Sequence, residues 1–508
     1  MSHSNAIAAS LPPELYNAIL DTVPKSELKK TTLALLRALP YSAIPQHHLF
    51  TEIRLTHADQ VVQLGRRLRG AQYFATLVRE FNLDMWKVDA DVAINVVRSM
   101  PNLTRLSMCI GPNFAPEHLE ELFQEPMVGL TFLSLRFRPY VQQATYYQFL
   151  KGAYFDSFLV ALSKWPTDLT SLSIMQDPLD PSLAPAKQFA QPLVFFRLDS
   201  LSSLTASPFL ENLANFRIRI PSRQVSRFLY SQPASLPSID LLDLSTCNIT
   251  ETDVKMMLQQ FSGLRHLILD HSSILRGEQL GGEWALFGKS CAMVGIGRAR
   301  EREKKLKEWI AAQTVREWDP APQPVAESST QRAGRKPRRG GRRGVSTATV
   351  SLRASPPKKS KPLPGGKAAL KARILPPGPT VRSIAMMPSA HVLPSAHQAI
   401  REEFERGWSE GLATLTSVRR RLRASCVNGM RMMRFATLDD DEFATTEDAY
   451  DGLIEVGVDA DELRDLSADM DVGRCPVLCL AGPGEREGYV HADGCGHATG
   501  WEVWQDKL

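Results

Sequence analysis

The chain reads as an α/β protein: a short helical module at the N-terminus, an irregular solenoid of strand and helix repeats, a basic linker, and a small helical and mixed C-terminal segment. Three observations predict this. Apolar residues recur at spacings of three and four through the first forty positions, the pattern L-x-x-L-x-L recurs from Phe50 to about Ile274, and from Arg298 the chain turns rich in charge, Pro, Gly and Ser. The expected order is a helical module over 8–50, the solenoid over 50–280, a charged helix over 281–318 and a disordered basic linker over 319–394. An amphipathic helix over 395–430, an acidic segment over 438–471 and a small segment over 472–508 complete it.

The N-terminal module begins at Leu11-Pro12-Pro13-Glu14-Leu15. Two prolines enter a first helical turn, where a missing N–H costs little, and Glu14 suits the positive end of the helix dipole. Leu15, Ala18, Ile19 and Thr22-Val23 make one apolar face; Pro24 ends it. Ser26 is placed to cap a second helix with its stripe through Leu28, Thr32, Leu35, Leu36 and Leu39, before Pro40. So few helices cannot enclose a full core, so part of this apolar surface needs a partner.

The repeats are clearest at Ile239-Asp-Leu-Leu242-Asp-Leu244 and Leu264-Arg-His-Leu267-Ile-Leu269. Earlier copies start at Leu103, Leu130, Leu169 and Leu213, and weaker ones at Phe50, Val78 and Leu193. Differences between successive starts are 28, 25, 27, 39, 24, 20, 26 and 25 residues, within the range of leucine-rich repeats. Each copy lays down a short strand whose alternate apolar residues enter a core, and the chain returns as a helix on the outer face. Outer helices are expected over Asp91 to Ser99, Glu117 to Phe123, Gln142 to Leu162 and Thr250 to Phe261, the last with a capping sequence in Thr250, Glu251 and Asp253. The long step carries an aromatic insertion from Tyr140 to Phe149.

The residues between the leucines line the exposed, concave side of such a solenoid and choose its ligand. Here they grade from hydroxyl-rich to basic to mixed charge, and Arg105, Arg197, Arg217, Arg219, Asp243, Arg265 and His266 are the target-binding candidates. The arginines suit acidic or phosphorylated groups on a protein, because a guanidinium grips such groups with two parallel hydrogen bonds.

The stretch from Leu11 to Leu28 resembles an F-box, and an F-box followed at once by these repeats is similar to the F-box/leucine-rich-repeat substrate receptors of SCF-type ubiquitin ligases, especially the divergent kind abundant in fungi. The resemblance spans roughly residues 10 to 275. It implies that Leu11, Pro12, Leu15, Ile19, Leu20, Val23, Pro24 and Leu28 dock the adaptor subunit, and through it the cullin, while the repeats hold an unidentified protein substrate. Many F-boxes carry a Val-Ser-Arg-Arg-aromatic stretch in the later helix; Leu33 to Leu39 departs from it, with one Arg and no aromatic.

The second half is organised by charge. Residues 298–373 hold 21 basic against 6 acidic residues, and residues 439–471 hold 14 acidic residues and one Arg. Arg335, Lys336, Arg338, Arg339, Arg342 and Arg343 form a nuclear-import candidate. The absence of interleaved aromatics argues against nucleic acid, although a nuclear interaction scaffold with a basic, nucleic-acid-contacting linker is the alternative to the ligase reading. Between the charged blocks, Ile400, Phe404, Trp408, Leu412, Leu415, Val418 and Leu422 lie at helical spacing.

The C-terminus holds a metal-like group, Cys475, Cys479, His491, Cys495 and His497. Four or five soft ligands so close together suggest zinc, yet Cys475 and Cys479 bracket what reads as a strand, which would separate the thiols, so neither metal nor cofactor is assigned. Nucleotide-loop, nucleophile-elbow and zinc-protease patterns are missing or broken, and a non-catalytic adaptor is expected. With 508 residues, 43% apolar, and Lys+Arg of 60 against Asp+Glu of 55, composition permits one extended or two compact domains. Seven scattered cysteines fit a reducing compartment, no apolar run spans a bilayer, and the nucleus or cytoplasm is the expected location.

Overall fold

The computed structural model describes residues 11–138, 154–178 except 167, 194–272 except 233–234, residue 274, and 282–316. It further describes 372–388, 392–427, 430–436, 452–456, 474–481 and 491–505. The chain divides into two compact units, one of residues 1–298, 378–417 and 466–508, the other of 299–377 and 418–465.

The first unit starts with the helices Pro13–Asp21 and Lys25–Ala38 and a short turn of helix, His47–Phe50. Pro12 is the N-cap of the first helix, with Pro13 as its first residue, where proline's missing N–H is harmless. Pro24 is the N-cap of the second, so Ser26, expected at that position, lies one residue inside the first turn. The hairpin encloses its own small cluster of Tyr16, Leu20 and Ile44, with Leu11, Leu28, Leu35, Leu36 and Leu39 packed around it.

Beyond the hairpin, one ten-stranded sheet dominates, parallel at every pairing, with its first eight strands side by side in chain order. The first eight strands are β1 (Glu52–Leu55), β2 (Glu80–Leu83), β3 (Arg105–Ile110), β4 (Phe132–Phe137), β5 (Ser171–Gln176), β6 (Asn215–Arg219), β7 (Leu241–Asp243) and β8 (His266–Ile268). Each begins two residues after the first apolar position of an L-x-x-L-x-L copy. The remaining apolar positions enter a single core with the helices on that face, among them Ala90–Arg98, Pro116–Gln124, Ser157–Leu162 and Glu251–Gln260. Thr250 and Asp253 close the last of these with a reciprocal cap, Thr250 N–H donating to the Asp253 carboxylate at 2.9 Å. Threonine hydroxyls extend the sheet order: Thr104, Thr131 and Thr170 donate to the carbonyls of Arg79, Thr104 and Thr131, each in the preceding repeat.

The copy at Leu193 is not a strand. Val194, Phe195 and Leu198 are buried but Phe196 is exposed, stacked on Tyr154 at 4.7 Å. The carbonyls of Phe195 and Phe196 accept from the Arg223 guanidinium instead of from a ladder, and the segment runs into the helix Asp199–Thr205. Arg197 therefore lies off the sheet. The aromatic insertion from Tyr140 to Phe149 lies outside the described residues.

Two further strands continue the sheet where a linker and a separate tail are expected from the sequence. β10 (Ser383–Ala385) pairs with β8, and β13 (Val477–Cys479) pairs with β10, both in the register of the earlier repeats. Their sequences, Val381-Arg-Ser-Ile384-Ala-Met386 and Cys475-Pro-Val-Leu478-Cys-Leu480, are two more copies of the pattern, separated from the eighth by long insertions. Val381, Ile384, Met386, Leu478 and Leu480 enter the same core. The linker therefore stops short of residue 372, and the C-terminal segment belongs to the repeat unit.

The helices Glu283–Ala292 and His397–Val427 close the core through Trp284, Phe287, Phe404 and Trp408. Their backbones cross closely, since a Cβ on Gly407 would overlap the Ala285 carbonyl and one on Gly288 the Phe404 carbonyl. The second helix realises the amphipathic pattern of 395–430 and also meets the final segment, with Arg401 donating to the Leu478 carbonyl at 3.2 Å.

In the second unit, β9 (Ala372–Ile374), β11 (Arg431–Phe435) and β12 (Leu453–Glu455) form a three-stranded sheet ordered β12-β11-β9. Ala299, Leu306, Ile374, Met433 and Leu453 make its core. Glu303 is clamped there, accepting from the Ile374 N–H at 3.0 Å and from Arg373 at 2.9 Å. The helix expected over 281–318 is two helices, Glu283–Ala292 and Val294–Arg316.

Candidate docking surfaces and a buried cysteine and histidine cluster

The N-terminal hairpin divides its apolar residues between two sides. Tyr16 and Leu20 are sealed inside, whereas Leu15 and Ile19 are each 49% exposed on the same helix. Pro12 and Pro24 are also exposed, and Leu11, Val23 and Leu28 are half-buried. Leu20, at 0% exposure, is thus a core residue of the hairpin and not a surface one, while Leu33 adds an exposed apolar group on the second helix.

The sheet face opposite the core is where the target-binding candidates were placed by the repeat pattern, and there the fold departs from the expectation. Pairing aligns one row as Ser134, Ser173, Arg217, Asp243, Ile268, Ala385 and Cys479. Over its far end lies the C-terminal helix Gly496–Trp504, in a second apolar cluster of Phe132, Leu241, Ile268, Ala385, Cys479, Ala481, Cys495 and Trp504. Arg217 is buried beneath it; its Nε donates to Ser173 Oγ at 2.9 Å and its guanidinium sits 4.6 Å from the Trp504 ring. Arg219 grips Asp243 at 2.6 and 3.1 Å, and Asp243 also accepts from the Ser245 N–H and hydroxyl. Burial alone would raise the Asp243 carboxyl, but the Arg219 guanidinium, joined by Arg217, outweighs it and holds that carboxyl below the usual range.

Arg217 and Asp243 are therefore satisfied by their neighbours inside the protein, so an acidic target cannot reach Arg217 as expected, while Arg219 is partly exposed with its guanidinium engaged by Asp243. Their spacing is that of ligand-facing residues; a segment more than two hundred residues away covers Arg217. His266 is half-buried, its Nδ1 buried with no partner among the described residues, and burial lowers its imidazole. Arg265 remains exposed beside Asp240 at 3.4 Å, and Arg197 is exposed with its N–H donating to Asp156. Arg105 lies over the Phe132 ring at 3.8 Å. The basic run Arg335, Lys336, Arg338, Arg339, Arg342 and Arg343 and most of the acidic segment lie outside the described residues.

The same end of the face holds Cys479, His491, Cys495 and His497, whose ligand atoms all lie within 4.8 Å of one another. Cys479 comes from β13 on the face opposite Cys475, which half-buries in the main core; the strand does separate these two thiols, and Cys475 is left out of the group. Cys495 is the N-cap of the C-terminal helix, its sulfur accepting from the Ala498 N–H, and His497 follows in the first turn. His491 Nδ1 stands 3.5 Å from both sulfurs, and His497 Nδ1 stands 3.5 Å from Cys479 Sγ. The other nitrogen of His497 faces both carboxylate oxygens of Asp270 at 3.0 Å, just past β8. Burial disfavours the His497 imidazolium, but the hydrogen bonds to Asp270 and Cys495 raise it to about 9. The hydrogen bond from Cys479 lowers the Cys495 thiol and raises that of Cys479.

No helix among the described residues is long and apolar enough to cross a membrane. No protein-family model and no curated protein matches the chain. Among solved structures, a chain of the Rad7 and Elc1 complex in yeast is similar at 14% identity and a TM-score of 0.17, over 55% of this chain and 90% of that one. A likeness of this size assigns neither fold nor function.

Proposed function

We propose that this protein is a non-catalytic substrate receptor of a cullin-RING (SCF-type) ubiquitin ligase, with residues 8–50 as its F-box and the ten-strand repeat array as a leucine-rich-repeat solenoid. The observation that carries the reading is the pair Leu15 and Ile19, exposed on a hairpin whose core is already closed by Tyr16 and Leu20. An apolar pair left outside a small, internally satisfied module is suited to a protein partner, and the Leu11 to Leu28 resemblance names the adaptor subunit. Ubiquitin transfer then belongs to partner subunits, and the protein works in the nucleus or cytoplasm without a cofactor in that role.

The target surface shifts accordingly. With the far end of the opposite face covered, the accessible part is that of β1 to β3 with Arg136 at the end of β4, where Arg54 pairs with Asp84, Arg136 with Asp177, and Trp86 lies near Arg136 and Arg138. Co-purification tests the reading: the full chain should recover adaptor and cullin, and a Leu15→Asp/Ile19→Asp double variant with an unchanged melting temperature should lose both. Equal, background recovery by the two proteins would sink the ligase role and favour an interaction scaffold.

A further inference from the structure

We propose that Cys479, His491, Cys495 and His497 bind one zinc ion, which staples the last strand and the C-terminal helix to the repeat sheet. The chemistry and the spacing agree. Two thiols and two imidazoles are a complete tetrahedral set for zinc, and a closed set of four protein ligands is the mark of a structural site rather than a catalytic one. A tetrahedral ion held at about 2.3 Å from sulfur and about 2.0 Å from nitrogen sets each sulfur about 3.5 Å from each nitrogen. Three of the sulfur to nitrogen distances are 3.5 Å, and the farthest pair of ligand atoms is within 4.8 Å. A two-iron cluster would hold its imidazoles on a different metal from its thiolates, wider apart than this.

The surroundings complete the site. Both histidines turn Nδ1 to the sulfurs, and Asp270 takes the far nitrogen of His497 at 3.0 Å, fixing the ring as carboxylates do behind metal-bound histidines. Cys479, Cys495 and His497 are buried and His491 is half-buried, its ring edge-on to Trp501 at 4.7 Å. The ligands come from β13, from the approach to the C-terminal helix and from its first turn, with Asp270 adding the end of β8. One ion thus ties the last strand to the C-terminal helix, Asp270 extends the tie to the distant end of β8, and the helix it anchors is the one that covers Arg217.

The inference is independent of the ligase reading. Full-length protein prepared without contact with a metal resin should contain one zinc per chain by mass spectrometry, and exchange into cobalt should give the intense visible bands of a tetrahedral thiolate site. Cys495→Ser and His497→Gln should abolish stoichiometric zinc, Cys475→Ser should retain it, and Asp270→Asn should weaken affinity about 10- to 100-fold in chelator competition. Should the ligand variants fail to fold, the wild-type cobalt spectrum and chelator titration decide alone. Reduced wild-type protein that holds no zinc and gives no cobalt bands overturns the proposal. So do stoichiometric iron in place of zinc, a Cys479 to Cys495 disulfide in freshly isolated protein, or a loss in Cys475→Ser equal to that in Cys495→Ser.

Discussion

Replacing Trp504 with Ala should release the C-terminal helix from the sheet while leaving the array folded. Trp504 is 4% exposed, with Phe132 at 5.9 Å and the buried Arg217 guanidinium at 4.6 Å. Truncating a buried tryptophan costs about 3–5 kcal/mol, of which the lost ring contact with a desolvated cation is part. The helix has 9 residues and cannot persist alone in water, so its order depends on docking. The cost should therefore appear as local opening: hydrogen exchange of the helix amides should accelerate by about a hundred- to a few thousand-fold. Amides of β1 to β4, held by their own repeats, should keep their protection. Unchanged exchange in the helix would show that the ring does not hold it, and equal acceleration across the sheet would show that the helix is no separate cooperative unit; either result refutes the reasoning.

Two other substitutions probe the interior. Asp243→Asn leaves Arg219 without its buried counter-charge and should destabilise the protein by about 3–5 kcal/mol in denaturant titration. The native carboxyl is held low, so the wild type's share of stability from this group is full above about pH 4 and lost as the pH falls through the depressed native value. The variant should lack that acid-side loss, and parallel acid profiles for the two proteins would contradict the assignment. Gly407→Ala places a methyl on the Ala285 carbonyl and should lower the melting temperature, in contrast to the gain that Ala brings to an open helical position. A raised melting temperature would mean that the two helices do not cross this closely.

Much of the fold is legible in the sequence because a repeat writes its own register. Alternate leucines in L-x-x-L-x-L demand a strand with one buried face, and the eight strands fall two residues into eight of the nine recognised copies. The failure at Leu193 has a local cause: apolar spacing alone does not say whether carbonyls will find a ladder or an arginine such as Arg223. The last two copies, at Val381 and Cys475, carry the same signal but stand 117 and 94 residues after their predecessors, so a search for a steady period passes over them.

The site was the harder part to read. Cys479, His491, Cys495 and His497 are conspicuous together, but whether thiols and imidazoles converge depends on which face of β13 Cys479 takes and on which side of the sheet the C-terminal helix lies. Cys475 occupies the core position of its copy and Cys479 the outward one, which makes one a packing residue and the other a ligand candidate. Likewise Arg217, Arg219 and Asp243 stand at outward positions that the pattern alone assigns to a ligand.

The sequence by itself determined the α/β repeat, the helical hairpin before it and the apolar pair Leu15 and Ile19, because these follow from periodicities of two and of three to four residues. Only the tertiary structure decided what covers the opposite face of the sheet. Packing of the Gly496–Trp504 helix on β7, β8 and β10, and the meeting of Asp270 with His497 across 227 positions, depend on contacts between distant segments. A local pattern shows which side chains share a face, but not which remote segment will come to lie on it.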